Sequence, residues 1–234
     1  VLGDLPKKDE YDYSRGQKVI AYAKNHLDKI APLETGKWDQ INKITVINNE
    51  VRFIIDKNTY TNLKNKDQIV GLKYNDQNSI KELVLIKNNL HCRIIIDPSN
   101  PIGISDPANI SDIILESAIS TILDCEDSVA TVDSEDKILA YRNWLGLMRG
   151  NLETEFIKNK KTVKRKLNKD IELSTLLGEK LFLKSRSLML IRNVGHLMTN
   201  PSILNKNNEE IFEGLMDGVV TSLISMHDLN KKKI

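Results

Sequence analysis

Aromatic side chains are scarce, at 5% of 234 residues. That is too few for the stacking platforms on which single-stranded nucleic acids bind. Net charge is nearly absent too: Lys+Arg 34 against Asp+Glu 32 leaves +2, so no bulk field draws the chain to nucleic acid or to an anionic membrane. There are two cysteines, Cys92 and Cys125, without C-x-x-C spacing. They fit reduced, buried thiols in a cytoplasmic protein, and a disulfide between them stays open but unsupported. No apolar run approaches the ~20 residues of a membrane span, and the opening VLGDLPKKDEYD lacks the apolar centre of a secretory leader. Nucleophile elbows, P-loops, dinucleotide glycine motifs and zinc-ligand spacings are missing.

What is present is ordinary globular composition, 40% hydrophobic and 28% charged, enough for one large domain or two small ones. Residues 14–31 carry an apolar stripe of Val19, Ile20, Ala23, Leu27 and Ile30. The spacing predicts a helix capped by Ser14 with Gln17 and ended by Pro32. Alternating segments at 43–47, 50–56, 68–74, 81–88 and 90–97 predict an antiparallel sheet of about five strands, with Asn48-Asn49 and Asn88-Asn89 as hairpin turns. After a Pro/Ser/Asn-rich connection (97–110), Asp106-Pro107 predicts a helix start, with a stripe at Ile110, Ile113, Ile114 and Ala118. Short, wholly apolar strands follow at 120–124 and 187–194, each expected to be buried. A helix capped by Asp133 or Ser134 and stopped by Gly150 follows the first. A helix at 209–229, with Ile211, Leu215, Val219 and Leu223 on one face, follows the second. Residues 151–186 look irregular, with a possible hairpin. Strand, helix, strand, helix in the second half argues for parallel βα units.

In such architectures chemistry sits at the carboxyl ends of strands. LDCEDSV places Asp124, Glu126 and Asp127 at one such end, and LMLIRNV places Arg192 at the other. Clustered carboxylates need a cation, hydrogen-bond donors or water. A hard cation such as Mg²⁺ suits an all-oxygen set. Equally, the acids could cap the next helix or pair with Arg142, Arg192 or a lysine. Arg192 could be a structural ion pair or a bidentate clamp for a substrate carboxylate. His196 could donate to the same site or be purely structural; His26, His91 and His227 have no ligand spacing. The basic run KNKKTVKRK (158–166) is most simply a solvated surface.

Three long stretches, ILESAISTILDCEDSVATVDSEDKILAYRNWLGLMRGNL (114–152), RSLMLIRNVGHLMTNPSIL (186–204) and EGLMDGVVTSLISMHDL (213–229), resemble the malate synthase G family. YDYSRGQKVIAYAKNHLDKIAPL and NNLHCRIIIDPSNPIG look like its preceding segments. The resemblance implies an α/β protein: a partial TIM (β/α)8 barrel with an inserted α+β domain containing an antiparallel sheet. Residues 1–118 would be mostly inserted domain, 119–149 a barrel strand and helix, 150–186 a return to the insertion, and 187–234 the next barrel strand and helix. The implied activity is the Mg²⁺-dependent condensation of acetyl-CoA with glyoxylate and water to malate and CoA, the glyoxylate-cycle reaction, in a protein that is monomeric at full length. Arg192 matches the family's catalytic Arg. Asp124 and Glu126, with Asp127 beside them, match acids that orient the metal's bound waters. Ser128 and Arg165 match acetyl-CoA contacts, and Arg165 would suit a phosphate.

Two further readings stand beside this one: a Mg²⁺-dependent carbon–carbon lyase acting on CoA esters, and a non-catalytic binding module. The resemblance puts the direct Mg²⁺ ligands beyond Ile234 and the catalytic Asp base on a C-terminal domain. The 234-residue chain alone is therefore expected to form no malate. Steady malate formation by the purified chain would overturn that.

Overall fold

The computed structural model describes residues 10–117, 121–127, 131, 133–186 and 188–231. The chain divides into two compact units: Val1–Ala118 with Ile171–Leu183, and Ile119–Asp170 with Lys184–Ile234.

The first unit opens with α1 (Tyr13–Ile30). Its cap is Asp12, two residues earlier than the Ser14 pattern suggests; the Asp12 carboxylate accepts from Arg15 N–H at 3.1 Å, and a carboxylate also favours the positive helix start. The strands β1 (Lys43–Ile47), β2 (Glu50–Ile54) and β3 (Tyr60–Thr61) form a three-stranded antiparallel sheet. A second, larger sheet takes β4 (Ile69–Tyr74), β5 (Ile80–Lys87) and β6 (Leu90–Ile96). Two sheets thus replace the single five-stranded one expected. The paired asparagines do turn the hairpins: Asn48, Asn49, Asn88 and Asn89 all have positive φ, between 50° and 61°, the left-handed pair that a tight hairpin needs. Both sheets and α1 bury one core containing Leu27, Trp38, Phe53, Leu63, Leu72, Leu83 and Ile94. Trp38 and Phe53 meet edge to face at 5.0 Å, and the buried indole N–H of Trp38 donates to the Ala31 carbonyl at 2.7 Å, as burial of that group requires.

The expected helix from Asp106-Pro107 is absent. A short α2 (Pro101–Ile104), capped by Asn100, comes earlier, and Ile110–Leu115 is a strand, β7, paired antiparallel with β6. The reason lies in Asp106. Its Oδ1 accepts from Ala108 N–H and Ile110 N–H at 2.9 and 3.1 Å, its other oxygen pairs with Lys24, and Asn109 turns left-handed at φ 57°. This closes a turn instead of opening a helix.

In the second unit, β8 (Thr121–Asp124) leads to α3 (Ser134–Arg149). Asp133 caps α3 through the Glu135 and Asp136 N–H groups, and Gly150 ends it at φ 75°. A hairpin of β9 (Glu153–Lys158) and β10 (Lys161–Lys166) follows, also in this unit. Within the stretch 150–186, it is β11 (Ile171–Ser174) and β12 (Lys180–Leu183) that join the first unit, extending its larger sheet to six strands in the order β12-β11-β4-β5-β6-β7. The chain then forms β13 (Met189–Arg192), a hairpin of β14 (Thr199–Leu204) and β15 (Glu210–Phe212), and α4 (Glu213–Lys231). As expected, β8 and β13 are parallel. They are not buried as expected: Ile122 and Leu190 are 55% and 46% exposed, because among the described residues the pair forms a two-stranded sheet with no further strand beside it. No helix among the described residues is long and apolar enough to cross a membrane.

The side chains of Lys24 and Asp106 are 5% and 0% exposed. Asp106→Ala leaves a buried ammonium without its partner and frees two turn N–H groups, which should cost about 3–5 kcal/mol. Urea unfolding followed by Trp38 fluorescence in a Trp144→Phe background measures this. A loss below about 1 kcal/mol, the scale of an exposed pair, would show the pair to be dispensable.

Candidate functional site

The parallel ladder decides which side chains meet. Thr121 pairs with Met189, and the register runs on to place Asp124 opposite Arg192, each the last residue of its strand. The ladder closes with Cys125 N–H donating to the Arg192 carbonyl at 2.9 Å. Arg192 Nε and Nη2 then donate to the two Asp124 oxygens at 2.8 and 2.6 Å, a bidentate fork; this geometry is the strongest a guanidinium and a carboxylate make. Nη2 also donates to Asp127, and Glu126 Oε2 stands 3.7 Å from Nε. The local chain prepares the fork: Asp124 Oδ1 accepts from the Glu126 and Asp127 N–H groups at 3.0 and 3.2 Å, a turn that brings all three acids to one side. Among the described residues, Arg192 Nη1 donates to nothing.

Three carboxylates around one guanidinium leave the rim anionic. The Arg192 fork and the two backbone donors hold the Asp124 carboxyl well below the usual carboxylate range, the fork being the larger cause. The same contacts, Asp124 first and Asp127 second, raise Arg192 further. Asp124 is the sheltered member, its side chain 14% exposed against 45% for Arg192 and 72% for Asp127.

Of the residues singled out from sequence, Asp124, Glu126, Asp127 and Arg192 come together. Their ion-pair partner is Arg192, one of the partners left open. Arg165 is not brought into the cluster. It lies on β10, exposed, with its guanidinium 4.9 Å from the centre of the Phe156 ring. Ser128 lies outside the described residues. His196 packs its ring edge to face on Phe212 at 5.6 Å rather than turning to the acids. Cys92 and Cys125 are free and buried, and burial pushes the Cys92 thiol up to about 11.

Sequence reasoning missed a second polar group. Lys137 and Tyr141 on α3 converge with Glu213, Asp217 and Thr221 on α4. The signal was available: 137, 141 and 144 share one helix face, as do 213, 217 and 221. The apolar stripe assigned to α4 instead exposes Leu215, Val219 and Leu223.

Residues 11–88 match the family described as malate synthase G, alpha-beta insertion domain. Over 223 residues, 95% of its length, the chain is 47% identical to malate synthase G of Halalkalibacterium halodurans. It is 43% identical over 229 residues, 96% of its length, to that of Corynebacterium efficiens, and 44% identical over 220 residues, 94% of its length, to that of Corynebacterium glutamicum. The chain belongs to the malate synthase G family. It spans 30%, 30% and 29% of the length of these relatives. The insertion-domain match falls wholly within the first unit, whose antiparallel sheets suit an α-β domain of that kind.

Because the Asp124 carboxyl is depressed by Arg192, the stability it contributes is present above the ordinary carboxylate range and is lost as pH falls through its lowered value. Carboxyl NMR should show Asp124 still ionised at pH 3.8, the ordinary midpoint, and Arg192→Ala should return its titration upward. A midpoint near 3.8 in the unsubstituted chain would show that the fork does not persist in solution.

Proposed function

We propose that this chain is the part of a malate synthase that carries the inserted α-β domain and early strands of the catalytic barrel, and that the full-length protein condenses acetyl-CoA with glyoxylate and water to give malate and CoA. One observation carries the chemical part. Arg192 is held by a bidentate acid at the carboxyl end of a parallel strand, with no acceptor for Nη1 among the described residues. Identity of 43–47% along 94–96% of this chain to proteins named malate synthase G supports this reaction over that of a lyase. The barrel assignment of 119–149 and 187–234 is supported by the parallel β8–β13 pair, by α3 after β8, by α4 after β13 and its following hairpin, and by the exposed apolar side chains on those strands.

In the condensation, the acetyl methyl group loses a proton to an Asp base that the family resemblance places outside this chain. The resulting enolate carbon attacks the aldehyde carbon of glyoxylate, and water then cleaves the thioester, releasing CoA. Arg192 is the group here that meets the developing negative charge. Its fork to Asp124 fixes the guanidinium plane before substrate arrives, which is the preorganisation that electrostatic catalysis requires. Arg165, exposed on β10, is the candidate contact for a CoA phosphate, and Ser128 for acetyl-CoA.

The proposed cofactor is Mg²⁺. The described acids do not converge on a common point as a ligand set; they turn toward Arg192. The family resemblance assigns the direct ligands to residues beyond Ile234, and no step is routed through the ion here. Asp124 and Glu126, with Asp127, remain candidates for ordering its bound waters. The full-length protein is proposed to be a cytoplasmic monomer.

In the full-length enzyme, Arg192→Ala should lower kcat by ~100-fold or more, the scale of a lost oxyanion donor, with KM for acetyl-CoA little changed. Near-normal turnover would remove Arg192 from the chemistry.

A further inference from the structure

Next to the rim, α3 and α4 share a buried polar cluster for which the proposed reaction has no direct use. Lys137 Nζ lies 3.2 and 3.1 Å from the two Asp217 oxygens and also pairs with Glu213. The Tyr141 hydroxyl donates to Asp217, and burial together with Asp217 pushes that hydroxyl up. Asp217 is 1% exposed. A carboxylate so placed costs stability unless its oxygens are satisfied, and an apolar contact between the helices would be at least as stable. Conformational specificity is then the remaining physical reason to keep it.

Its contacts show what is specified. Val194 N–H donates to Asp217 Oδ2 at 3.4 Å, and Asn193 Nδ2 donates to Thr221 Oγ1 at 3.3 Å. Thr221 Oγ1 in turn donates to the Asp217 carbonyl at 2.7 Å, and the Trp144 indole donates to the Thr221 carbonyl at 3.1 Å. Gly214 brings the same helix so close that a Cβ there would stand 2.2 Å from the Val194 carbonyl oxygen. The two residues immediately after Arg192 are thus tied to the single α4 face formed by 213, 217 and 221. Lys137 holds the Asp217 carboxylate in the orientation that accepts from Val194.

We infer that Asp217 is a positioning residue for Arg192: with Lys137 as its counter-ion and Thr221 as a second tether, it fixes the Asn193–Val194 backbone and so the aim of the guanidinium. The inference rests on the proposed role of Arg192. A displacement of ~1 Å at a reacting centre can cost ~100-fold in rate, so the loss should appear in turnover rather than in substrate affinity.

The test is a mutant cycle in the full-length enzyme. Asp217→Asn should lower kcat by ~10- to 100-fold, leave KM for acetyl-CoA within about twofold, and cost nothing further when made in the Arg192→Ala enzyme. Thr221→Val, which cuts only the second tether, should lower kcat by a smaller factor with the same dependence on Arg192. It also serves as the deciding variant if Asp217→Asn loses its circular dichroism spectrum. Equal losses in the presence and absence of Arg192, or unchanged kcat, would overturn the inference. A wild-type full-length protein that forms no malate would instead overturn the functional reading, so the two failures are distinguishable.

Discussion

A parallel ladder four residues long sets the chemistry of the second unit. Side chains alternate along a strand and pair across it by register. Once Leu123 lies beside Ile191, Asp124 lies beside Arg192. A slip of one residue would turn the acid to the opposite face and leave the guanidinium without its bidentate partner. The turn after β8 adds Asp127 to the same cation. The tethers on α4 then hold the backbone that leaves β13. Each of these features has meaning only if the register is kept.

The two units handle buried charge in the same way. In the first, Asp106 satisfies two N–H groups of a turn and a lysine from α1. In the second, Asp217 satisfies a tyrosine, a backbone N–H and a lysine from α3. In both, a carboxylate joins a segment of irregular backbone to a helix, and the lysine neutralises it. Such a pair contributes little net stability compared with apolar packing, but it permits one arrangement and penalises others. That is more useful around a turn or a site than in the middle of a core, where the interlocking of Trp38, Phe53 and Leu83 already suffices.

Much of this was legible in the sequence because the signals were local. The asparagine pairs marked their hairpins through their tolerance of positive φ. Asp133 and Gly150 marked the ends of α3. Apolar strands tipped with acids and an arginine marked the rim. What was not legible depended on partners distant in sequence. Asp106 looked like a helix cap because nothing local revealed Lys24. One sheet was expected where two exist, since alternation identifies strands but not their neighbours. The stripe on α4 was assigned by hydrophobicity, whereas the face turned to α3 is polar, with Asp217 and Thr221 buried. Its ionic logic appears only when Lys137, 80 positions away, is set against it.

The return of β11 to the first unit has a consequence for how the chain acquires its structure. Ser174 is bridged to Leu72 on β4, and everything from β5 to β10 is made in between. On the ribosome, β5, β6 and β7 can zip onto β4 as soon as they emerge, since each hairpin closes locally. The outer edge of β4 stays open until residue 174 has left the exit tunnel. During that interval the growing polypeptide displays an unpaired strand edge, the kind of surface that recruits stray strands from other molecules. Closing so long a loop is entropically unfavourable and comes late. The order of synthesis therefore makes the last two strands of the larger sheet a seal, applied only after the strand that pairs with β13 has already been translated.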